Sequence, residues 1–80
     1  MQKTEIVLRS VKDVRDFVNM VIRIGYEVDL MQGRYVIDAK SVMGIFALDL
    51  MTPITVIAHG DNTRDFFKKL DRFKEKKITS

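Results

Sequence analysis

The chain has no cysteine, one proline and one histidine in 80 residues. Without cysteine there are no disulfides and no thiolate metal sites, and a lone histidine excludes the usual zinc constellations. No window approaches the roughly 20 apolar residues of a membrane span. The opening "MQKTEIVLRS" lacks the apolar stretch of a signal peptide. These absences lead us to expect a soluble, unprocessed, cytoplasmic protein that carries no cofactor and does not enter the membrane.

What is present is an apolar content of 46%, enough at this length for one modest core. Residues 1–80 therefore read as a single domain, one layer of helices on one sheet. The net charge of +3 owes much to the tail "KKLDRFKEKK". Such a tail can bind nucleic acid or an anionic surface, but a solvated helix end, where lysines suit the dipole, is the commoner meaning of such a pattern.

Thr4 to Leu8 is rich in strand formers, and Ser10 with Asp13 three residues on is an imperfect capping box. Val11, Val14, Phe17, Val18, Val21 and Ile22 then recur at helical spacing until Gly25 ends the helix. In "YEVDL" Tyr26, Val28 and Leu30 alternate with Glu27 and Asp29; after the turn "MQGR", "RYVIDA" places Tyr35, Ile37 and Ala39 on one face. This pattern predicts an antiparallel hairpin over residues 26–39. Pro53 opens a further strand, "ITVIA", and Asp61 or Asn62 is expected to cap a last helix with Phe66, Phe67, Leu70 and Phe73 buried. Residues after Lys76 are expected to fray. The whole is an α+β fold: an open-faced two-layer sandwich in the order βαββαβα, with a four-stranded antiparallel sheet and helices on one face.

One stretch does not fit that economy. In "AKSVMGIFALDL", residues 39–50, the run from Val42 to Leu50 carries a single charge, Asp49. A segment apolar all round should be buried all round, yet two amphipathic helices already cover the sheet. If Ser41 caps a short helix, Ile45 and Leu48 share one side and Val42, Met43 and Phe46 the other. Those three either pack beneath the hairpin or form an exposed contact patch, for which a pliable methionine and a large aromatic are suited.

These residues resemble the regulatory-serine segment of HPr, the phosphocarrier of the bacterial sugar phosphotransferase system. The likeness rests on Lys40, Ser41, Gly44, Ile45 and Leu48 at their spacing, and the order of elements extends it over nearly the whole chain. It implies that Ser41 is phosphorylated by a dedicated kinase in the control of catabolite repression. It also implies that Val42, Met43 and Phe46, beside Lys40, contact protein partners of the HPr-kinase or regulator type, while Ile45 and Leu48 are structural. A phosphate at a helix start meets free N–H groups, though the same position also suits a serine that is only an N-cap.

The family carries phosphate on a histidine of a Gly-x-His-x-Arg-Pro setting at the start of the first helix. Here that region reads "LRSVKDV": Ser10 falls near the histidine position and Lys12 and Asp13 near the Arg-Pro positions. A serine phosphate is far less reactive than a phosphoramidate, and the only histidine, His59, is expected at the wrong end of the sheet. The expectation is therefore a non-catalytic, HPr-like regulatory or adaptor protein. The alternatives are a phosphocarrier using a non-histidine residue, for which Asp13 is the reactive candidate, and a nucleic-acid-binding α+β domain. The last would need aromatics on the open sheet face, where Glu27, Asp29 and Asp38 are expected instead.

Overall fold

The computed structural model describes residues 2–74. Its elements are β1 (Gln2–Ile6), α1 (Val11–Ile24), β2 (Val28–Gln32), β3 (Tyr35–Asp38), α2 (Val42–Phe46), β4 (Ile54–Ala58) and α3 (Arg64–Lys69), which tightens into a 3-10 turn at Leu70–Phe73. The four strands form one antiparallel sheet in the order β1-β4-β2-β3. The fold is thus the expected α+β sandwich.

Inward side chains of the strands, Ile6, Val28, Leu30, Ile54, Val56 and Ala58, meet Val14, Phe17 and Val21 of α1, Ile45 of α2 and Phe66 with Leu70 and Phe73 beyond. Phe17 and Phe73 pack edge to face at 6.0 Å. α1 begins where Ser10 Oγ accepts the Asp13 N–H at 3.1 Å and ends at Gly25, whose φ of 79° is left-handed. Val11 and Ile22, expected in the buried stripe, are instead 63% and 57% exposed. At 100° per residue they lie roughly 70° and 90° from the stripe's centre, on its flank.

The hairpin differs from the expectation in register. β2 starts at Val28 and runs on through Gln32, so the connection is only Gly33–Arg34. Gly33 takes φ 59° while, among the described residues, no other residue type has positive φ, which fits a type II′ turn. Tyr35 keeps inward parity opposite Gln32 but is 66% exposed, because it stands at the hairpin end of an edge strand. Ala39 is buried, though it lies in the turn after β3. Tyr26 precedes β2 and packs against Phe66 with rings 6.1 Å apart; a Cβ on Gly60 would come within 2.7 Å of its ring, so only glycine admits this approach.

Neither Asp61 nor Asn62 caps α3. Thr63 is the N-cap, because its carbonyl accepts the first helical bond, from the Phe67 N–H at 3.0 Å. The expected fraying after Lys76 lies outside the described residues. No described helix is long and apolar enough to cross a membrane.

Candidate functional site

Two tied turns build α2. Asp38 Oδ1 accepts the Lys40 N–H at 2.8 Å and its carbonyl accepts the Ser41 N–H at 3.0 Å, which brings the chain off the edge strand. Ser41 then caps the helix, its Oγ accepting the Gly44 N–H at 3.1 Å. Gly44 leaves room for this cap: a Cβ would sit 2.9 Å from Ser41 Oγ and 3.2 Å from Ile37 Cδ1. Beyond the helix, Gln32 pins the loop by donating to the Asp49 carbonyl and accepting the Asp49 N–H, both at 2.7 Å.

Ile45 is fully buried and Leu48 8% exposed, whereas Val42, Met43 and Phe46 are 43%, 86% and 46% exposed. Phe46 and Val11 form a ridge between two shallow grooves. One, of about 350 Å³, runs past Arg9, Ser10 and Met51; the other, of about 260 Å³, passes Val42, Arg15 and Asn19. α2 therefore runs back along the first half of α1, its end beside Ser10. The patch is wider than the sequence suggested, because Val11 and Met51 join it. Val11 is invisible to periodicity as an exposed residue, and Met51 offers only the weak signal of an apolar side chain in a loop.

Basic groups border this face. Arg9 donates from Nη2 to the Lys74 carbonyl at 3.3 Å, and its own N–H is accepted by Asp13 Oδ2 at 2.9 Å. Further along α1, Asp16 receives Lys12 Nζ at 2.9 Å and Arg72 Nη2 at 3.0 Å. The Lys12 hydrogen bond, with both cations beside it, holds the Asp16 carboxyl below its ordinary range against a smaller opposing effect of burial.

His59 does not reach this face. It follows Ala58, which pairs with Gln2, whereas α1 is reached from Ile6 at the opposite end of β1. Its Nε2 lies within hydrogen-bond distance, 2.9 Å, of Asp29 Oδ2 on the outer sheet face, a contact across strands as well as the expected turn position. Tyr35, read as core-directed, stands free at the sheet edge, and Glu5, Asp29 and Asp38 lie on the outer side. Among the described residues no cluster of three or more His, Asp or Glu is placed to hold a metal.

A four-stranded antiparallel sheet in this strand order, with three helices packed on one of its faces, is the architecture of the HPr-like proteins. Solved structures share it, among them the following three. HPr-C-His from Thermoanaerobacter tengcongensis superposes with a TM-score of 0.76 at 20% identity, over 90% of this chain and 89% of that one. The phosphocarrier protein HPr from Bacillus anthracis str. Ames gives 0.71 at 17%, over 92% and 96%. Crh, the Bacillus subtilis catabolite repression containing protein, described as a swapped, intertwined dimer, gives 0.63 at 26%, over 82% and 78%. No family model and no curated protein sequence matches the chain. At these identities the likeness is one of fold.

Proposed function

We propose that this protein is a non-enzymatic, HPr-like regulatory or adaptor protein related to the sugar phosphotransferase system, acting by docking protein partners. The observation that carries this reading is the exposed apolar set of Val42, Met43 and Phe46, extended by Val11 and Met51 and bordered by Arg9 and Arg15, with exposed Lys40 just before the helix. Exposed apolar area of this kind, ringed by polar groups, is typical of contact surfaces. HPr and Crh among the structural neighbours support the functional context.

Ser41 is the switch in this reading. Ser41 is an exposed residue, and the first turn of α2 carries no acidic residue. A phosphate there adds about 1.5 to 2 negative charges next to the apolar face and changes which partner fits it. Carriage of phosphate is not part of the proposal. Ser10 stands at the start of α1 without an imidazole near it, His59 is held by Asp29, and the Asp13 carboxylate is occupied by the Arg9 N–H.

The test is incubation with a kinase of the HPr-kinase class and measurement of partner binding. Modification at Ser41, abolished in Ser41→Ala, with binding altered by Ser41→Asp, is expected. Acid-labile phosphorylation driven by phosphoenolpyruvate and the upstream enzyme of the system would instead establish a phosphocarrier.

A further inference from the structure

We propose that two copies of this chain pair through the free edge of β3, in antiparallel register about Val36, extending two four-stranded sheets into one of eight strands. The reading is independent of the proposed docking face, which lies on the helical side.

The two edges of the sheet are unlike. β1 carries Lys3 and Glu5, charges of the kind that guard an edge, and the chain beyond it is tied down by the Val7 N–H donating to the Phe73 carbonyl. β3 instead exposes two large apolar side chains in succession, Tyr35 and Val36, at 66% and 59%. Nothing in the described structure pairs with its outer side.

The backbone of that edge is set for pairing. In a two-residue hairpin the flanking residues, Gln32 and Tyr35, exchange hydrogen bonds, and the direction alternates from there. The Ala39 N–H donating to the Val28 carbonyl at 3.0 Å shows that residues 35, 37 and 39 face β2. Residues 34, 36 and 38 therefore point their backbone groups away from the sheet. The Asp38 carbonyl is taken by the Ser41 N–H, which leaves the Asp38 N–H and both groups of Val36.

The charges select the partner. A two-fold axis at Val36 sets Val36 against its own copy, Tyr35 against Ile37 and Arg34 against Asp38, each unlike pair occurring twice, as an isologous contact demands. Arg34 and Asp38 have no ionic partner among the described residues. They are about 13 Å apart along their own strand, too far to meet within one copy. Asp38 also stands directly opposite Asp29, an unfavourable like-charge pair that His59 relieves only on the Asp29 side. The second copy's Arg34 supplies the missing cation. With only four residues on the edge the contact is small, so the association is weak and depends on concentration.

Sedimentation equilibrium over a concentration series decides it. The unmodified protein is expected to shift from monomer to dimer as concentration rises. Arg34→Glu and Asp38→Lys alone are each expected to move the midpoint at least about tenfold higher. Their equimolar mixture is expected to restore it: in the mixed dimer the introduced carboxylate of one copy meets the introduced ammonium of the other, and the unchanged Asp38 of the first meets the unchanged Arg34 of the second. Val36→Pro removes an outward N–H without touching the β2 ladder; it should leave the circular dichroism unchanged and abolish the dimer, and it decides the matter if Asp38→Lys fails to fold. A monomer at every concentration, a dimer indifferent to Arg34→Glu and Val36→Pro, or a dimer lost in Phe46→Ala overturns the proposal.

Discussion

Two helix starts in this molecule are built alike and surrounded differently. Ser10 and Ser41 each cap a helix by accepting the N–H three residues on, at the same 3.1 Å. At α1 that third residue is Asp13, whose carboxylate turns back to the Arg9 N–H; at α2 it is Gly44, chosen for lack of a side chain. α1 has fourteen residues and buries four of them, whereas α2 has five and buries only Ile45. The hydrogen bond is thus common to both, and what the two serines can do is decided by their neighbours. The first turn of α1 holds the Asp13 carboxylate, whereas the first turn of α2 holds no acidic residue.

Removing the anchors separates the two helices most strongly. Phe17→Ala should cost about 3–5 kcal/mol and unfold much of the population, because the cavity opens beneath α1 and beside Phe73. Ile45→Ala should cost about 2–5 kcal/mol, at the low end if α2 simply lifts off. Chemical denaturation gives both totals, and hydrogen exchange at residues 42–46 shows whether the second loss is local. Equal loss of protection throughout the sheet in Ile45→Ala would remove the distinction.

At the surface the comparison becomes one of binding. Phe46→Ala should weaken partner binding at least about tenfold with little change in stability, since a half-exposed aromatic at the centre of a patch is the expected anchor. Ser10→Asp, at the far end of the face from Val42, should change binding less than Ser41→Asp does. Titration calorimetry with any partner that responds to Phe46→Ala checks all three. If Ser10→Asp has the larger effect, the α1 start is the true contact.

Much of this arrangement was legible in the chain. Helical spacing set Ile45 and Leu48 on one side of residues 42–48 and Val42, Met43 and Phe46 on the other, while which side faces out was left open by the pattern and came only from the resemblance to HPr. The sheet, its strands and the Ser10 cap followed from alternation and local chemistry. What failed did so at edges. Val11 and Ile22 sit on the flank of an apolar stripe, where composition is the same as in its middle and burial is not. Tyr35 has the parity of a core residue, but parity says nothing of whether a helix lies above it. The contribution of Met51 to the patch depends on Gln32 fastening the loop at Asp49, a contact seventeen residues distant in sequence that no local pattern contains.

The caps themselves come next in size. Ser10→Ala and Ser41→Ala should each cost about 1 kcal/mol of helix stability. The loss at Ser10 should lower the global melting temperature, because α1 is part of the core. At Ser41 it should be felt mainly as faster exchange of the Gly44 amide. A smaller effect still distinguishes α1 in acid. The Lys12 hydrogen bond, aided by Arg72, depresses the Asp16 pKa in the folded state. Its stabilisation is therefore complete above the unfolded carboxyl pKa and disappears as pH falls through the lowered folded value. Asp16→Asn should flatten that part of the stability profile, whereas Ser41→Ala should leave its shape unchanged.

The smallest expected change tests why the two third positions differ. Gly44→Ala gains up to about 1 kcal/mol of helix propensity. It also places a methyl 2.9 Å from Ser41 Oγ, so the hydroxyl must rotate away and a cap worth about 1 kcal/mol is lost. The net stability should shift by less than about 1 kcal/mol in either direction, while protection of the residue 44 amide falls clearly. Asp13→Ala at the start of α1 should do the reverse, keeping Ser10 Oγ on the residue 13 amide and releasing only the Arg9 N–H. A stabilised Gly44→Ala with the Ser41 cap intact would mean that α2 can move off Ile37, and that the glycine answers to something other than the serine.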